Sequence, residues 1–447
     1  MLIKNAAVYL EDGHFHKQDI TISNGTFGLD RTLITDCTLT DGHNDSSVSN
    51  WIDLDSFVSK PHDENIRWED SILDASHLYA IPGLIDIHFH GCAGHDFSEG
   101  TYCAIEKIAE YQLRNGITNI VPATMTLSEE SLFNICKSVA TYTSLPLNSA
   151  NLKSPFTKSF MKPPISSMDV ITPIGQYLSS AQFTTSILSG INMEGPFLSH
   201  DKKGAQNEQY LKLPDIALFE RLLKASNNMI KLITIAPELP HSLDFIKQFS
   251  KDVIISLGHT MADYDTAKNA LNMGASHITH LYNAMPAYSH RAPGVIGAAF
   301  DSKDCTVELI CDGNHLHPSV VRSTFQQFTD NRIILISDSM MATGLSDGTY
   351  SLGEQEVTVK GTLATLADGT LAGSVTNLMD CVRIAVKDIG IPLESAIKCA
   401  TINPARKLGI DDRYGSIANG KVANLILLDR NLNIKMIMLY GHIIVIS

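Results

Sequence analysis

The sequence lacks the features that mark secreted or membrane-bound proteins. Its eight cysteines are scattered and include no CxxC pair, which is typical of reduced thiols in a cytosolic protein. The N-terminal residues do not show the charged and then apolar segments of a signal peptide. The most apolar segment, residues 434–446, is interrupted by Lys435, Gly441 and His442 and is too short to span a bilayer. We therefore expect a cytoplasmic protein with no membrane partner.

Basic residues are also in short supply. Lys and Arg total 34 against 48 Asp and Glu, which gives a net charge of −14 at pH 7. The chain has no basic cluster that resembles a binding surface for a phosphate backbone, and its negative charge argues against nonspecific nucleic-acid binding. Nucleic acid is therefore not an expected partner, and an anionic substrate would have to be held by a local site.

The middle of the chain alternates between apolar segments of strand length and helical patterns. Helical patterns occupy residues 102–115, 129–140, 214–225, 242–249, 261–273 and 318–328. Eight candidate strands end at His90, Thr124, Glu194, Ala236, His259, His280, Asp312 and Asp338. This alternation predicts an α/β fold with a (β/α)8 barrel of the TIM type. A turn-rich stretch at residues 344–370 predicts a hairpin excursion after the last strand.

Both ends of the chain have β character instead. Residues 1–80 contain short strand patterns and an Asn-Gly hairpin signal, followed by a polar insertion at about 41–70. Residues 405–447 return to strand patterns, so we expect a small β-sandwich domain built from both termini beside a barrel at 81–404. Within the barrel region, residues 145–169 predict an irregular insertion.

The most informative motif closes the first barrel strand. The segment Pro-Gly-Leu-Ile-Asp-Ile-His-Phe-His-Gly ends an apolar run with His88 and His90, which are separated by one residue. Side chains alternate along a strand, so both imidazoles would point the same way, and two converging imidazoles can bind one divalent metal. Taken alone, the pair slightly favours the alternative of a strand with two incidental histidines.

Four further side chains stand at the ends of later strands, namely Glu194, His259, His280 and Asp338. Each has an ordinary alternative, because a carboxylate before Gly or Ser can cap a turn or helix and a histidine can satisfy buried backbone groups. Catalytic residues of such barrels lie at the carboxyl ends of the strands, so the set as a whole predicts a metal site. Histidine nitrogen and carboxylate oxygen suit zinc, iron, cobalt or manganese.

The chemistry expected of such a site is hydrolysis. Fewer protein ligands than coordination positions leave room for a water molecule, and a divalent ion lowers the pKa of that water to roughly 7. A nearby carboxylate can then move protons, and we assign this role of general base and acid to Asp338.

Nine short strings resemble the amidohydrolase superfamily and, within it, the family of N-acetylglucosamine-6-phosphate deacetylases. In order along the chain they are PGLIDIHFHG, MEGPF, KKGA, LGHT, THLYNAM, RAPG, CDGNH, SDSM and LAGS. The resemblance is specific, because the strings include substrate contacts as well as the metal frame. It implies metal-dependent removal of the acetyl group of N-acetylglucosamine-6-phosphate, giving glucosamine-6-phosphate and acetate, in amino-sugar catabolism. The β-rich ends also suit the small β-sandwich of that family.

The resemblance also implies which residues hold metal. Glu194, His259 and His280 would hold the main ion, while His88 and His90 occupy the place of a second-metal pair that some members lack. One or two divalent ions are therefore expected.

The substrate contacts that the resemblance implies lie on other strings. They are Asn283, Ala284, Arg291, His315, Gln206, Leu371 and Ala372. The Asn283-Ala284 turn would hold the phosphate together with Arg291, which is expected to reach the neighbouring subunit of a homodimer, and His315 would contact the sugar. In this net-negative chain we expect no other phosphate-binding residues.

One position departs from the family pattern. Several members carry a histidine after the Lys-Lys-Gly stretch that hydrogen-bonds the acetyl carbonyl, whereas this chain has Gln206. His200 is a candidate substitute with a different spacing, and a metal ion could polarise the carbonyl instead. His277 and His317 are predicted to be structural, with His277 facing away from the site.

Two other functions stay open at this point. One is an amidohydrolase acting on a cyclic amide or another N-acyl substrate; such enzymes often bridge two metals with a carboxylated lysine, a place that Glu194 occupies here. The other is a degenerate barrel that serves as a scaffold, although such relatives typically lose metal ligands and this chain keeps them.

Overall fold

Most of the chain can be described. The computed structural model describes residues 1–29, 35–36, 51–52, 72–144 and 184–444. The insertions predicted at about 41–70 and at 145–169 lie outside these ranges, apart from the short strand Trp51–Ile52. Among the described helices, none is both long and apolar enough to cross a membrane.

Strands from both ends of the chain pair in one ten-stranded sheet. Its members are Leu2–Tyr9, Phe15–Ser23, Thr26–Leu29, Thr35–Asp36, Trp51–Ile52, Ile72–Asp74, Tyr79–Pro82, Leu425–Leu428, Ile434–Leu439 and His442–Ile444. The antiparallel pairing of Leu425–Leu428 with Tyr79–Pro82 joins the C-terminal strands to the N-terminal ones. Alternate apolar residues of these strands, such as Ile20 and Ile22, pack in a small core of their own.

Eight parallel strands form the barrel and contribute to the larger hydrophobic core. Barrel strands 1 to 8 are Leu84–Asp86, Ile117–Ile120 with Ala123–Thr124, Ile187–Leu188 with Ile191–Glu194, Ile230–Ile235, Ile254–Leu257, His277–Ile278, Thr306–Ile310 and Ile333–Ile336. Each pairs in parallel with the next. Strand 8 meets strand 1 just past their ends, where the Asp338 N–H donates to the His88 carbonyl at 3.0 Å. The predicted α/β barrel is confirmed.

Helices connect these strands. They are Tyr102–Arg114, Glu129–Ser144, Ile216–Ala225, Ser242–Phe249, Tyr264–Asn272, Gly294–Phe300, Pro318–Phe328, Leu378–Ile384, Leu393–Ala400 and Ile402–Leu408, with a π-helical turn at Ala385–Ile389 and 3-10 turns at Phe97–Glu99, His200–Lys202 and Glu208–Tyr210. The predicted helices are confirmed close to their expected bounds. Gly294–Phe300 was not predicted, because nearly all of its residues are buried and it therefore shows no amphipathic periodicity.

Several strands end earlier than the sequence predicts. Barrel strands 5, 6 and 8 stop short of His259, His280 and Asp338, and strand 1 stops short of the histidine pair. The backbone gives the reason, because the φ angles of His259, His280 and Asp338 are +47°, +26° and +48°. These values lie outside the extended region, so the ladder cannot continue through them. The chain turns at these residues, and all three line the pocket at the barrel mouth.

An antiparallel sheet follows barrel strand 8. Its strands are Gly348–Leu352, Gln355–Lys360 and Leu363–Thr365. The hairpin excursion predicted at 344–370 is thus confirmed and carries a third strand. Leu352 and Leu371, which borders the last strand, reach the same pocket.

Candidate metal centre

The ends of the barrel strands bring all five predicted metal ligands together. Two buried groups of three can be drawn, each with ligand atoms within 4.8 Å of one another. The first group contains His88, His90 and Glu194, and the second contains Glu194, His259 and His280. We call them the first and the second triad. Because Glu194 belongs to both, the five side chains form one continuous cluster.

In the first triad, the two imidazoles face different oxygens of one carboxylate. His88 Nε2 lies 3.4 Å from Glu194 Oε1, and His90 Nε2 lies 3.4 Å from Glu194 Oε2. His88 is fully buried, and its Nε2 has no hydrogen-bond partner among the described residues. A buried nitrogen without a partner is costly unless something else binds it. The atom is therefore available as a ligand.

The second triad is tighter. His259 Nε2 and His280 Nε2 lie 3.1 and 3.0 Å from the same Glu194 oxygen, Oε1, and 3.1 Å from each other. Two nitrogens and a carboxylate oxygen converging in a buried space are a donor set that fits a divalent transition metal. Both triads pass this chemical test.

Two of the four histidines also form a hydrogen bond through Nδ1, the ring nitrogen that does not face Glu194. His88 Nδ1 donates to Glu308 Oε2 at 2.8 Å, and His259 Nδ1 donates to the backbone carbonyl of Lys202 at 2.9 Å. In each ring the proton then sits on Nδ1, so the Nε2 lone pair faces the cluster. Metal-binding histidines commonly donate their second ring nitrogen in this way.

Glu308 was missed by the sequence analysis. It is a fully buried carboxylate in the middle of barrel strand 7, within the segment Thr306–Ile310. Its signal was an acidic residue inside an apolar strand, since glutamate is rarely fully buried without a partner. His277 also belongs to this region, because its Nε2 donates to Glu308 Oε1 at 3.1 Å. Its ring nitrogens contact Thr306 and Glu308 and not the ligand cluster, and Glu308 links it to His88.

The buried charges of the cluster support one another. Burial would raise the pKa of Glu194, but the imidazoles of His259 and His88 lower it well below its usual value. Burial would lower the pKa of His88, but the Glu308 and Glu194 carboxylates raise it well above its usual value. The Glu194 and Glu308 carboxylates are therefore ionised, and a positive charge between them, either a proton on His88 Nε2 or a metal ion that displaces it, stabilises the centre.

Asp338 lies beside the first triad. Its Oδ1 is 3.3 Å from His90 Nε2 and 3.9 Å from His88 Nε2. Burial would raise the pKa of Asp338, but the hydrogen bond with His90 and the charge of His88 lower it. An ionised carboxylate in this position can accept a proton from a group bound at the cluster.

The backbone is strained at several of the same residues. His259, His280 and Asp338 have positive φ angles, and Ala284 follows with a φ of +49°. Side chains with a Cβ rarely adopt this region, and such strain clusters at functional sites. The strained residues follow three different strands, yet all lie at one mouth.

The cluster opens into a pocket of about 520 Å³. Of the predicted substrate contacts, five line it: Asn283, Ala284, His315, Gln206 and Leu371. The other two, Arg291, which is exposed on its loop, and Ala372, which is buried, do not line the pocket formed by the described part of this chain. Lys202 and Lys203 also line the pocket, so basic side chains other than Arg291 are available there. Their string was matched as a motif without a role for the lysine side chains.

Both polar atoms of the Gln206 side chain form hydrogen bonds within the protein. Its Oε1 accepts from the Thr126 N–H at 2.6 Å, and its Nε2 donates to Glu194 Oε2 at 2.5 Å. The residue therefore braces Glu194 at the pocket wall. His200, the candidate substitute for the missing histidine, is largely exposed at the pocket edge, where its Nε2 lies 3.5 Å from Glu208.

His315 is held towards the pocket by an acidic neighbour. Its Nδ1 donates to Asp312 Oδ2 at 2.8 Å, and its backbone N–H donates to Asp312 Oδ1 at 2.9 Å. The Asn283 carboxamide donates instead to the backbone carbonyl of His280 at 3.2 Å, which ties its turn to the second triad. His317 caps the helix Pro318–Phe328, in agreement with its predicted structural role.

Comparison with known proteins identifies the family. A family model described as the amidohydrolase family matches residues 79–444. An N-acetylglucosamine-6-phosphate deacetylase of Bacillus subtilis is 33% identical over 368 residues, covering 82% of this chain and 85% of the relative. One from Caenorhabditis elegans is also 33% identical, over 386 residues and 82% of each chain.

A solved structure supports the same assignment. The structure of a mutant N-acetyl-D-glucosamine-6-phosphate deacetylase from Mycobacterium smegmatis, in complex with N-acetyl-D-glucosamine-6-phosphate, matches with a TM-score of 0.77 at 26% identity, over 100% of this chain and 99% of that one. The family is metal-dependent, and the two triads supply candidate ligands. The chain belongs to the amidohydrolase family.

Proposed function

We propose that this chain is a metal-dependent amide hydrolase that removes the acetyl group of N-acetylglucosamine-6-phosphate, giving glucosamine-6-phosphate and acetate. The observation that carries the proposal is the intact ligand set around Glu194, in a chain whose relatives of that name are matched over more than four-fifths of their length. The same ligand set argues against a degenerate scaffold.

We assign the main ion to the second triad and a second ion to the first. Zinc, iron, cobalt and manganese all suit a set of imidazoles and a carboxylate. When bound, a divalent ion here would activate water and polarise the acetyl carbonyl, the chemistry that such ions supply to hydrolases. Gln206 already donates to Glu194, so we assign it to the pocket wall rather than to the carbonyl.

Asp338 is the group that we assign to proton transfer. Its carboxylate accepts a proton from the attacking water as the new carbon–oxygen bond forms at the acetyl carbon. It then donates that proton to the amine nitrogen as the carbon–nitrogen bond breaks. Asp338 suits both steps because it is ionised and adjoins the histidines of the first triad.

We assign the phosphate to the turn at Asn283 and Ala284, together with Lys202 and Lys203, which line the same pocket. His315, anchored by Asp312, is placed to contact the sugar, and Leu371 adds an apolar contact. Arg291 is exposed and does not line its own pocket, which is consistent with a contribution to the pocket of a second subunit in a homodimer.

Acetate release from a small panel of substrates tests the proposal. The panel contains N-acetylglucosamine-6-phosphate, its unphosphorylated form, N-acetylgalactosamine-6-phosphate and a cyclic amide. The galactosamine epimer is included because a relative from Escherichia coli O157:H7, 30% identical over 81% of this chain, is named for it. We expect the metal-loaded protein to release acetate and free amine in equal amounts, fastest from a phosphorylated sugar. Turnover of the cyclic amide alone would contradict the proposal.

The role of Arg291 can be tested with the same panel. A charge-assisted hydrogen bond contributes about 1.5–3 kcal/mol, so Arg291→Ala should raise the KM for the phosphorylated sugar about tenfold or more. The unphosphorylated sugar should be nearly unaffected. Equal losses for both substrates would reject the assignment.

A further inference from the structure

Glu308 occupies a place that a carboxylate does not normally tolerate. It lies in the middle of barrel strand 7, only 1% exposed, between the apolar residues Val307 and Leu309. An ionised group in such a position is strongly destabilising unless donors surround it. What surrounds Glu308 therefore indicates why it is there.

Three donors from other segments converge on this carboxylate. His88 Nδ1 donates to Oε2 at 2.8 Å, and the backbone N–H of His280 donates to the same oxygen at 2.9 Å. His277 Nε2 donates to Oε1 at 3.1 Å, while its Nδ1 lies 2.6 Å from Thr306 Oγ1. The carboxylate thus contacts one ligand residue of each triad, through the side chain of His88 and through only the backbone of His280.

The contact with Glu308 fixes the tautomer and the orientation of the His88 imidazole. Because a carboxylate can only accept, the His88 proton is held on Nδ1, and the Nε2 lone pair is turned towards Glu194. A ring without this partner could adopt the other tautomer or rotate away from Glu194. In the second triad no imidazole contacts Glu308, since His259 is anchored by the Lys202 backbone carbonyl and Glu308 reaches His280 only through its backbone N–H.

We propose that Glu308 is a positioning residue that makes the first triad able to bind a metal ion, by fixing the tautomer and orientation of His88. The inference rests on the two-ion part of the proposed function. It goes further by assigning the occupancy of one triad to a residue that binds neither metal nor substrate. The second triad should bind its ion without Glu308.

Metal titration separates this role from a merely structural one. Metal-free protein is titrated with Zn²⁺ by calorimetry, and the number of ions and both affinities are compared for the wild type, Glu308→Leu and Glu308→Gln. Thr306→Val is the matched control, because it breaks the far end of the same hydrogen-bond chain and leaves Glu308 and His88 in contact. Thermal melting of each metal-free variant shows that it is folded.

We expect Glu308→Leu to weaken one ion about 10–100-fold, the usual effect of removing a partner behind a metal ligand, and to leave the other unchanged. Glu308→Gln should cause a smaller selective loss, because its oxygen can still accept from His88 while its charge is gone. It also serves as the test if the leucine variant does not fold. Adding Glu308→Leu to His88→Ala should cause no further loss of ion affinity, since both act on one site.

Three results would overturn the proposal. One is unchanged affinity for both ions in Glu308→Leu and Glu308→Gln. Another is equal weakening of both ions, or an equal loss in Thr306→Val, which would reflect general packing. A wild type that binds one ion would overturn it together with the two-ion assignment, while acetate release from the same sample would still decide the deacetylase activity.

Discussion

The two triads share Glu194 but are built on different supports. His259, in the second, is anchored by the Lys202 backbone carbonyl, and both of its histidines sit at strained positive φ angles. His88, in the first, is anchored by the side chain of Glu308, 220 residues away in the chain. One site therefore depends on the shape of the backbone, and the other on a single buried charge. A site held by the backbone resists substitution, whereas a site held by one side chain can be lost by a single change.

Replacing the shared carboxylate should have the largest effect, because it removes the element common to both triads. Glu194→Gln keeps the volume but loses the charge that the imidazoles surround. We expect both ions and all measurable acetate release to be lost, as judged by elemental analysis and a substrate assay. Retention of one ion would show that one triad binds its ion without Glu194, so that the two sites would not depend on a shared carboxylate.

A substitution at Asp338 should be next in size. Asp338→Asn keeps the shape and cannot accept the proton, so the catalytic constant should fall by at least about a hundredfold, the low end for general acid–base catalysis. The ion content should stay at the wild-type value, although Asp338 lies only 3.3 Å from His90. Loss of an ion would make Asp338 a ligand of the first triad, and near-normal turnover would require another base.

The smallest effect is expected from Gln206. Gln206→Leu removes the N–H that donates to the Glu194 oxygen facing His90, so ion affinity should fall about tenfold, the lower end for such partners. Gln355→Leu is the matched control, because Gln355 donates to the neighbouring Ala205 carbonyl and does not contact Glu194. Equal affinities in the two variants would remove Gln206 from the support of the centre.

The predictable part of the centre is local in sequence. His88 and His90 stand in one motif, and each of the other ligands lies at or just past the end of a strand in a recognisable βα unit, so a barrel brings them to one mouth. The strand ends were misplaced because positive φ angles at His259, His280 and Asp338 cannot be seen in the residue types. Only the folded backbone shows that the chain leaves the ladder there.

The support behind the ligands was not predictable in the same way. The role of Glu308 follows from its hydrogen bond with His88, which links barrel strands 7 and 1. No local sequence pattern encodes a contact between residues so far apart. The acidic residue within the apolar segment Thr306–Ile310 indicates that the carboxylate has a buried partner. It does not indicate which residue that partner is. Lys202 and Lys203 are the opposite case, because they stand in a recognisable local motif. Only the folded structure shows that they line the pocket.

Counting the ions bound by variants of each histidine pair shows whether both triads bind metal. The wild type, His88→Ala with His90→Ala, and His259→Ala with His280→Ala are loaded with Zn²⁺, dialysed and measured by elemental analysis beside protein concentration. Two triads around one carboxylate predict about two ions for the wild type and about one fewer for the first double variant, with the main site spared. The second double variant should lose the main ion and its activity. An unchanged ion count in the first double variant would show that the first triad holds no ion, and two-ion binding by this centre would be rejected.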